Sequence, residues 1–310
     1  MGLSEWVAES VERYRRESPT YATKRTYQEL LKGVLRRVPN ASGTPIWDRD
    51  WDVLLVLDAC RYDAFHERYG DAGWYADLDA ILSVGSASPE WMDNTFSAEY
   101  EDELARTSYI TGNPYSADHV DPDRLGHLDE VWRRSWDSDT GTIRPEPLTA
   151  SAVEHYREDC PDRMIVHYMQ PHWPYVTDPV MYGFDPTNIT GETSTENPFD
   201  KQNRGELSRE EHFDRYLDNL EFIVDRVRET LLRAIDAESV VLTADHGTLF
   251  GEYGLYKHPA NMPMRGIRRV PWVTTTAEDD GRYDPEPDLV SAESVDAERD
   301  QQLRDLGYVE

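Results

Sequence analysis

Three short runs of mainly apolar residues constrain the fold of this 310-residue chain more than any other feature. They occupy positions 53–57, 164–168 and 239–243. Consecutive apolar residues are typical of strands that are buried on both faces of a parallel sheet. Between the last two runs, apolar residues recur every three or four positions from 213 to 231, which predicts a long helix. The sequence therefore predicts an α/β fold in which the three strands are parallel neighbours or near neighbours in one sheet flanked by helices.

The chain is strongly acidic, with 61 Asp and Glu against 32 Lys and Arg and a formal net charge of −29. Free nucleic acid is excluded as an expected partner, because phosphate binding requires a basic surface. An acidic surface suits a very salty cytoplasm, where salt screens its self-repulsion, so we hypothesise a halophilic protein. The two cysteines form no disulfide framework, and the sequence shows neither a membrane span nor a signal peptide. We therefore expect a cytoplasmic protein.

Composition divides the chain into three predicted parts. Residues 1–45 form an N-terminal helical segment, residues 46–276 a catalytic domain, and residues 277–310 an acidic tail. Residues 1–40 carry eight Lys and Arg against five Glu, and apolar residues from 30 to 38 follow a helical period. This pattern favours a helical pair docked on the acidic body, and a peripheral contact with a membrane or a partner is the alternative. The polar stretch 177–210 is predicted to be a surface loop.

Acidic residues follow closely after two of the predicted strands. Asp58 comes after the first apolar run, and Asp245 and His246 come after the third. Ligands bind beyond the carboxyl ends of the strands in open α/β sheets, so we expect these side chains to converge within about 5 Å of one point. Two carboxylates and an imidazole suit a divalent metal. This donor set favours Mn²⁺ or Mg²⁺, with Ca²⁺ or Zn²⁺ as alternatives.

Histidines flank the end of the middle strand, at positions 167 and 172. Pro171 and Pro174 stiffen the backbone around His172, because proline fixes φ, and a stiff loop suits a histidine that points at a substrate. His172 is therefore the candidate proton donor, with a hydrogen-bonded loop histidine as the alternative. His167 is a candidate substrate-binding residue, or simply a residue of the strand.

A second candidate substrate-binding pair follows the metal motif. Lys257 and His258 can supply positive charge for an anionic substrate, and His258 can also bind a metal. Ordinary surface positions are the alternative for both residues.

Several motifs, in the correct order over about residues 52–274, resemble the sulfatase-like branch of the alkaline phosphatase superfamily. They are the Asp-x-x-Arg-x-Asp run from Asp58 to Asp63, the His-x-x-x-Pro-His-x-Pro-Tyr run from His167 to Tyr175, and the segment 240–254 around Asp245 and His246. The resemblance implies a three-layer α/β/α sandwich with a mostly parallel central sheet. It also implies that Asp58, Asp245 and His246 hold a metal that activates a hydroxyl or formylglycine nucleophile. By the same resemblance, His172 protonates the leaving group or touches a substrate oxygen, and Arg61 is a candidate substrate-binding residue.

The nucleophile is the point where this sequence departs from the sulfatases. The motif Cys-x-Pro-x-Arg, whose Cys becomes formylglycine, is absent. Ser88 is the candidate nucleophile instead, because a Ser at a helix start, followed by Pro89, meets the end of the helix dipole that favours anions. Ser86 is the second candidate, and an ordinary N-cap is the alternative role for Ser88.

The leading hypothesis is a metal-dependent hydrolase or transferase that acts on a phosphate mono- or diester through a Ser nucleophile. A sulfatase that acts on a sulfate ester is one alternative. A non-catalytic sulfatase-like domain that binds a partner is another. The expected substrate is a small anionic ester, which could be linked to a glycan or a lipid.

Overall fold

The apolar run at 53–57 is the central strand of a seven-stranded sheet in the computed structural model, which describes residues 19–38, 42–137, 139–178 and 197–286. The strands of these residues are β1 (Val53–Leu57), β2 (Asp77–Leu82), β3 (Thr107–Thr111), β4 (His127–Glu130), β5 (Trp136–Asp137), β6 (Thr142–Ile143), β7 (Arg163–Tyr168), β8 (Ala237–Thr243), β9 (Leu249–Phe250), β10 (Tyr256–Lys257) and β11 (Arg269–Ala277). The sheet order is β2-β11-β8-β1-β7-β3-β4, and β9 with β10 and β5 with β6 form two small sheets.

The three predicted strands lie side by side. β1 pairs in parallel with β7 on one side and with β8 on the other, so that Val53 faces Met164 and Val240. All five residues of β1 are fully buried, as its unbroken apolar sequence predicts. Burying one such side chain contributes about 1.5–3 kcal/mol to the stability of the fold, so the five residues of β1 together stabilise it substantially. The predicted parallel arrangement is confirmed.

One strand of the sheet runs in the opposite direction. β11 pairs antiparallel with both β8 and β2, while every other pairing in this sheet is parallel. The result is a mixed, mostly parallel sheet. The predicted α/β fold class is therefore confirmed.

Helices connect the strands and pack on the sheet. In the described residues they are α1 (Pro19–Leu35), α2 (Tyr62–Tyr69), α3 (Ser88–Thr95), α4 (Glu101–Leu104), α5 (Ser116–His119), α6 (Trp132–Ser135), α7 (Pro145–Asp159), α8 (Pro198–Arg204), α9 (Arg209–Glu229) and α10 (Arg265–Arg268). α9 is the predicted long helix. The Ser208 side chain caps it by accepting a hydrogen bond from the Glu211 N–H at 3.1 Å. Its apolar face, which includes Leu217, Leu220 and Val224, is buried.

The predicted surface loop at 177–210 was wrong in its last third. Residues 179–196 lie outside the described residues, but α8 begins at Pro198. The Asn197 side chain accepts a hydrogen bond from the Phe199 N–H at 2.9 Å, and Pro198 suits the first helical position. Gly205, with a φ of 81°, ends the helix. Pro198, Phe199 and Gln202 of α8 are buried, whereas Arg204 is exposed.

The two terminal segments are described only in part. Residues 1–18 and 287–310 lie outside the described residues. The first residues of the predicted acidic tail are attached to the body, since the Glu278 N–H donates to the Leu232 carbonyl at 3.0 Å and Arg157 bonds Asp279 at 3.0 Å. No helix in the described ranges is both long enough and apolar enough to cross a membrane.

Candidate metal and ester site

Asp58 and Asp245 meet because β1 and β8 are adjacent parallel strands that end at the same edge of the sheet. His246 follows directly. One ligand atom from each of the three side chains lies within 4.8 Å of the others, and all three residues are fully buried. The structure thus brings together the three residues that the sequence predicts as metal ligands.

Backbone amides help to hold the second carboxylate. Asp245 Oδ1 accepts hydrogen bonds from the N–H of Ala59 at 3.2 Å and of His246 at 2.8 Å. Ala59 has a φ of 61°, a conformation that costs a non-glycine residue some energy and that often accompanies functional sites. Burial raises the pKa of Asp245, but the electrostatic effects of His246 and His167 and the hydrogen bonds from the Ser88 hydroxyl and the Ala59 N–H outweigh it and bring that pKa below its usual value. Asp245 is therefore a carboxylate at neutral pH.

The tautomer of His246 follows from its hydrogen bond. Its Nδ1 lies 2.8 Å from the Gly247 carbonyl oxygen, which can only accept, so Nδ1 carries the proton. The lone pair on Nε2 then faces the carboxylates, 3.3 Å from Asp245 Oδ2. Gly247 is required by a close approach, because a Cβ there would lie 2.6 Å from the Gly266 carbonyl oxygen. A histidine held in this way presents a ligand nitrogen to the site.

Ser88 lies inside the same group of side chains. Its hydroxyl donates to Asp245 Oδ2 at 2.7 Å, and its Oγ is 3.2 Å from His246 Nε2 and 3.5 Å from Asp58 Oδ2. Ser88 is the first residue of α3, and Ala87 is the residue at the N-cap. Because Ala87 occupies the N-cap position, the alternative N-cap role does not apply to Ser88.

Ser86 is held elsewhere. Its hydroxyl donates to Glu90 Oε2 at 2.7 Å and accepts from the Met262 N–H at 3.1 Å. These contacts tie the loop before α3 to the segment after β10. The structure therefore places Ser88, and not Ser86, beside Asp58, Asp245 and His246.

His167 is the fifth member of the group. It belongs to β7, it is fully buried, and its Nε2 lies 3.7 Å from Asp245 Oδ2 and 3.9 Å from Asp58 Oδ2 without forming a hydrogen bond. Its Nδ1 shares a hydrogen bond with the Tyr109 hydroxyl at 2.8 Å. Burial lowers the pKa of His167 to about 4, so its ring is neutral. A neutral ring whose Nε2 faces two carboxylates can add a further ligand.

Asn113 is a site residue that sequence reasoning missed. It follows β3, and its amide Nδ2 donates to Asp58 Oδ2 at 2.9 Å. Its Oδ1 accepts from the Tyr115 N–H at 3.0 Å, which fixes the orientation of the amide. β3 lacks an apolar run, so the reasoning that found Asp58 at a strand end did not extend to this strand.

His172 and His258 form a pair beside the carboxylates. Their Nε2 atoms lie 2.9 Å apart, and the ring of His258 stacks on that of His246 with centroids 4.4 Å apart. His172 Nδ1 donates to the Trp173 carbonyl oxygen, so its Nε2 accepts the proton that His258 Nε2 carries. Burial, and then His246, lower the pKa of His172 to about 3. The backbone N–H of His172 also donates to the Asp58 carbonyl oxygen at 3.0 Å, which ties this loop to the site.

Arg61 and Lys257 have other partners. The Arg61 guanidinium forms a bidentate pair with Asp63 at 2.6 and 2.8 Å, and also bonds Glu252 at 2.7 Å and the Thr248 carbonyl at 2.9 Å. In this position it joins α2 to the segment after β8. Lys257 Nζ lies 3.5 Å from Asp200. The structure brings neither residue into the group around Ser88, and their substrate-binding roles stay predictions.

The donor set around Ser88 fits a divalent cation. Two carboxylates that lie close together in a buried site repel each other, and a cation between them removes that cost. The Nε2 of His167 is a buried polar atom that makes no hydrogen bond, as expected of a nitrogen reserved for a ligand. Asp58, Asp245 and His246 would hold the ion, with His167 beside them. Oxygen donors with imidazole accept Mn²⁺, Mg²⁺ or Zn²⁺.

No protein-family model and no curated protein matches this sequence. Its fold does match solved structures. The integral membrane protein lipooligosaccharide phosphoethanolamine transferase A from Neisseria meningitidis aligns with a TM-score of 0.50 and 14% identity, over 83% of this chain and 54% of that one. The C-terminal periplasmic domain of EptC from Escherichia coli, in complex with Zn, aligns with a TM-score of 0.42 and 13% identity over 77% of each chain. A protein assigned as a sulfatase from Bacteroides thetaiotaomicron VPI-5482 aligns with a TM-score of 0.44 and 11% identity, over 84% of this chain and 71% of that one.

The chain thus shares the fold of the Neisseria transferase, with a mostly parallel sheet as its motifs predict. It spans about half of the length of the Neisseria protein. At these identities the likeness concerns the fold, so the activity has to be argued from the site itself.

Proposed function

We propose that the protein is a metal-dependent hydrolase or transferase that acts on a phosphate mono- or diester, with Ser88 as its nucleophile. The observation that carries the proposal is the position of Ser88 Oγ, which lies 2.7 Å from Asp245, 3.2 Å from His246 and 3.5 Å from Asp58. A serine hydroxyl is a weak nucleophile unless a neighbouring group activates it. The Ser88 hydroxyl lies among the predicted metal ligands, so a metal ion held by them would be close enough to activate it.

Asp58, Asp245 and His246 would hold the ion. A divalent ion bound there would stabilise the serine oxygen as an anion and neutralise charge on the transferring group. Mn²⁺ and Mg²⁺ remain the ions that the oxygen-rich donor set favours. The hydrogen bond to Asp245 meanwhile keeps the Ser88 oxygen in place.

The chain's own residues support each bond change. Ser88 gives up its hydroxyl proton to solvent water, its oxygen forms a bond to phosphorus while the ester P–O bond breaks, and the departing oxygen takes up a proton. We assign that delivery to His172, whose Nε2 lies 2.9 Å from His258 Nε2. The bound anionic ester favours the protonated, imidazolium form of His172. His172 then returns to the neutral ring when its Nε2 proton passes to the departing oxygen. Water, or an acceptor alcohol, then takes the phosphoryl group from Ser88, which gives hydrolysis or transfer respectively. Positioned proton donation contributes about 10²- to 10⁴-fold to such a rate.

The positions of the two cysteines favour a phosphate ester over a sulfate ester as the substrate. Cys60 is buried, burial raises the pKa of its thiol, and its Sγ is directed to the Arg61 carbonyl at 3.8 Å. Cys160 lies at the C-terminal end of α7, on the surface. Neither thiol lies in the group around Ser88, where a formylglycine precursor would have to be. The substrate we propose is a small anionic ester, with a glycan or lipid as the remainder of the molecule.

Turnover of chromogenic phosphate and sulfate esters, with added Mn²⁺ or Mg²⁺, tests the proposal. Ser88→Ala should lower phosphate ester turnover by about a thousandfold or more, because no other group replaces the nucleophile. Ser86→Ala is the matched control, and it should keep most of the activity. Full activity in Ser88→Ala together with loss in Ser86→Ala would move the nucleophile to Ser86. Absence of turnover in the metal-loaded wild type with every ester would favour the non-catalytic binding domain.

A further inference from the structure

The exposed large apolar side chains of the described residues gather on one surface, which we call the docking face. They are Tyr27, Leu30, Val34, Val38 and Tyr253, with exposures of 45–77%. Four of them belong to α1 and the turn after it, at helical spacing. Tyr253 lies in the turn that α1 covers, because Gln28 Nε2 donates to the Gly254 carbonyl at 2.7 Å and a Cβ on Gly254 would be 3.6 Å from the Tyr27 ring.

The inner face of α1 is already occupied by the body of the protein. Leu31 and Leu35 pack against a small apolar cluster formed by Leu249, Leu255, Met262 and Ile267. Gln28 is buried and also bonds Asn203 at 2.9 Å. The docking face is therefore not needed to attach the helix, so its exposed apolar residues call for a different explanation.

The charge of the same segment is opposite to that of the whole chain. Residues 19–38 contain five Lys and Arg and one Glu, although the chain carries a net charge of −29. Arg36 and Arg37 are exposed beside Val34 and Val38. Apolar residues flanked by basic ones on one helix are the pattern of a helix that lies in the interface of an anionic membrane. A second copy is a poorer occupant, because a two-fold contact would bring the arginines of both copies together.

We infer that the docking face binds the surface of an anionic lipid bilayer. The apolar side chains enter the headgroup region while Arg36 and Arg37 contact lipid phosphates. At molar salt the Debye length falls to about 3 Å, so burial of the apolar side chains carries most of the binding there.

Docking in this way brings part of the candidate site near the membrane. α1 contacts the segment that carries Lys257 and His258, since Lys24 Nζ lies 3.4 Å from the Tyr256 hydroxyl and Arg36 Nε donates to the Ala260 carbonyl at 3.3 Å. Membrane binding by the docking face does not depend on Ser88 being a nucleophile.

Flotation with phosphatidylglycerol vesicles, and with phosphatidylcholine vesicles for comparison, tests the inference on the full chain. The wild type should float with the anionic vesicles, and Leu30→Glu/Val34→Glu should bind at least tenfold more weakly. Arg36→Gln/Arg37→Gln should weaken binding in dilute salt and have little effect in molar KCl. Ala76→Glu/Ala105→Glu adds the same charge at two exposed positions outside the docking face and should bind like the wild type.

Three outcomes would overturn the inference. The first is equal binding by the wild type and Leu30→Glu/Val34→Glu, with circular dichroism showing that both are folded. The second is equal binding to both kinds of vesicle. The third is a wild-type dimer that Leu30→Glu/Val34→Glu converts to a monomer in light scattering, without vesicle binding, which would make the docking face a contact between two copies.

Discussion

The Ser88 hydroxyl oxygen lies 2.7 Å from Oδ2 of Asp245, although 157 positions separate the two residues in the sequence. Asp245 is fixed at the end of β8, and Ser88 at the start of α3. Their hydrogen bond therefore joins the two elements that define the candidate site. Substitution of either residue should therefore also change the position of the other side chain.

Asp245→Asn should remove most of the metal affinity, because it deletes one of the two charges that attract the ion. An ion at a hundredfold its dissociation constant stabilises the folded wild type by about 2.7 kcal/mol. Added Mn²⁺ should therefore raise the melting temperature of the wild type and leave that of Asp245→Asn unchanged. Asp79→Asn, which changes an exposed partner of Arg49, should respond like the wild type. The same metal-dependent shift in Asp245→Asn would show that Asp245 is not a ligand.

His172→Ala should leave a measurable part of the activity. The expected loss is about 10²- to 10⁴-fold for esters with poor leaving groups, and much less for those with good leaving groups, because the latter need no proton. His119→Ala removes a surface histidine that pairs with Asp93 and should have no such effect. A loss that is equal for all leaving groups would assign His172 to binding instead of proton transfer.

Asn113→Ala should weaken metal binding without abolishing it. The amide donates to Asp58 Oδ2 at 2.9 Å and so holds that carboxylate in position. Groups that hydrogen-bond to metal ligands typically contribute about 10- to 100-fold to affinity. Titration calorimetry with Mn²⁺ measures the effect, and Asn94→Ala, at an exposed asparagine of α3, is the matched control. An unchanged dissociation constant for Mn²⁺ would show that Asn113 only stabilises its own loop, through its hydrogen bond with the Tyr115 N–H.

His212 should make the fold sensitive to acid. Its Nδ1–H donates to Gln202 at 2.7 Å and its Nε2 accepts from the Tyr175 hydroxyl at 2.9 Å. Burial lowers the pKa of His212 to about 3, below the usual 6.5, so the unfolded chain binds more protons between these values. Stability from His212 is therefore present above pH 6.5 and is lost as the pH falls towards 3, by about 1.4 kcal/mol per pH unit.

The variant His212→Gln isolates this contribution. Its free energy of unfolding should fall less steeply than that of the wild type between about pH 6.5 and 4.5. The slope is the quantity to compare, because the substitution also changes packing against Phe199 and Phe250. Denaturant titrations at several pH values measure it, with His66→Gln as a control at a surface helix. Parallel slopes in wild type and His212→Gln would contradict the expectation.

Salt should stabilise the protein. A net charge of −29 makes the surface charges of the protein repel one another. Molar salt, with a Debye length of about 3 Å, screens this repulsion, whereas dilute buffer, with a Debye length of about 30 Å, leaves most of it in place. The melting temperature should therefore be higher in molar KCl than in 10 mM buffer, and sucrose at equal osmolality should have a smaller effect. Equal melting temperatures in KCl and buffer would contradict the halophilic hypothesis.

The sequence by itself determined the central strands, the long helix α9 and the positions of Asp58, Asp245 and His246. Unbroken apolar runs have one favourable location, the middle of a parallel sheet, and residues that follow such strands meet at one edge. These features depend on the local sequence pattern, so they can be predicted without knowing which residues pack against them.

Only the tertiary structure showed that Ser88, and not Ser86, lies beside Asp245, and only it revealed Asn113 and the His172–His258 pair. Ser86 and Ser88 share one short segment, and local pattern does not reveal that Glu90 and Met262 occupy the first hydroxyl while Asp245 receives the second. Arg61 shows the same limit, since its motif suggests a substrate while its guanidinium is held by Asp63 and Glu252. The partner of a polar side chain comes from a distant part of the chain, and its identity is fixed only when the sheet and helices have packed.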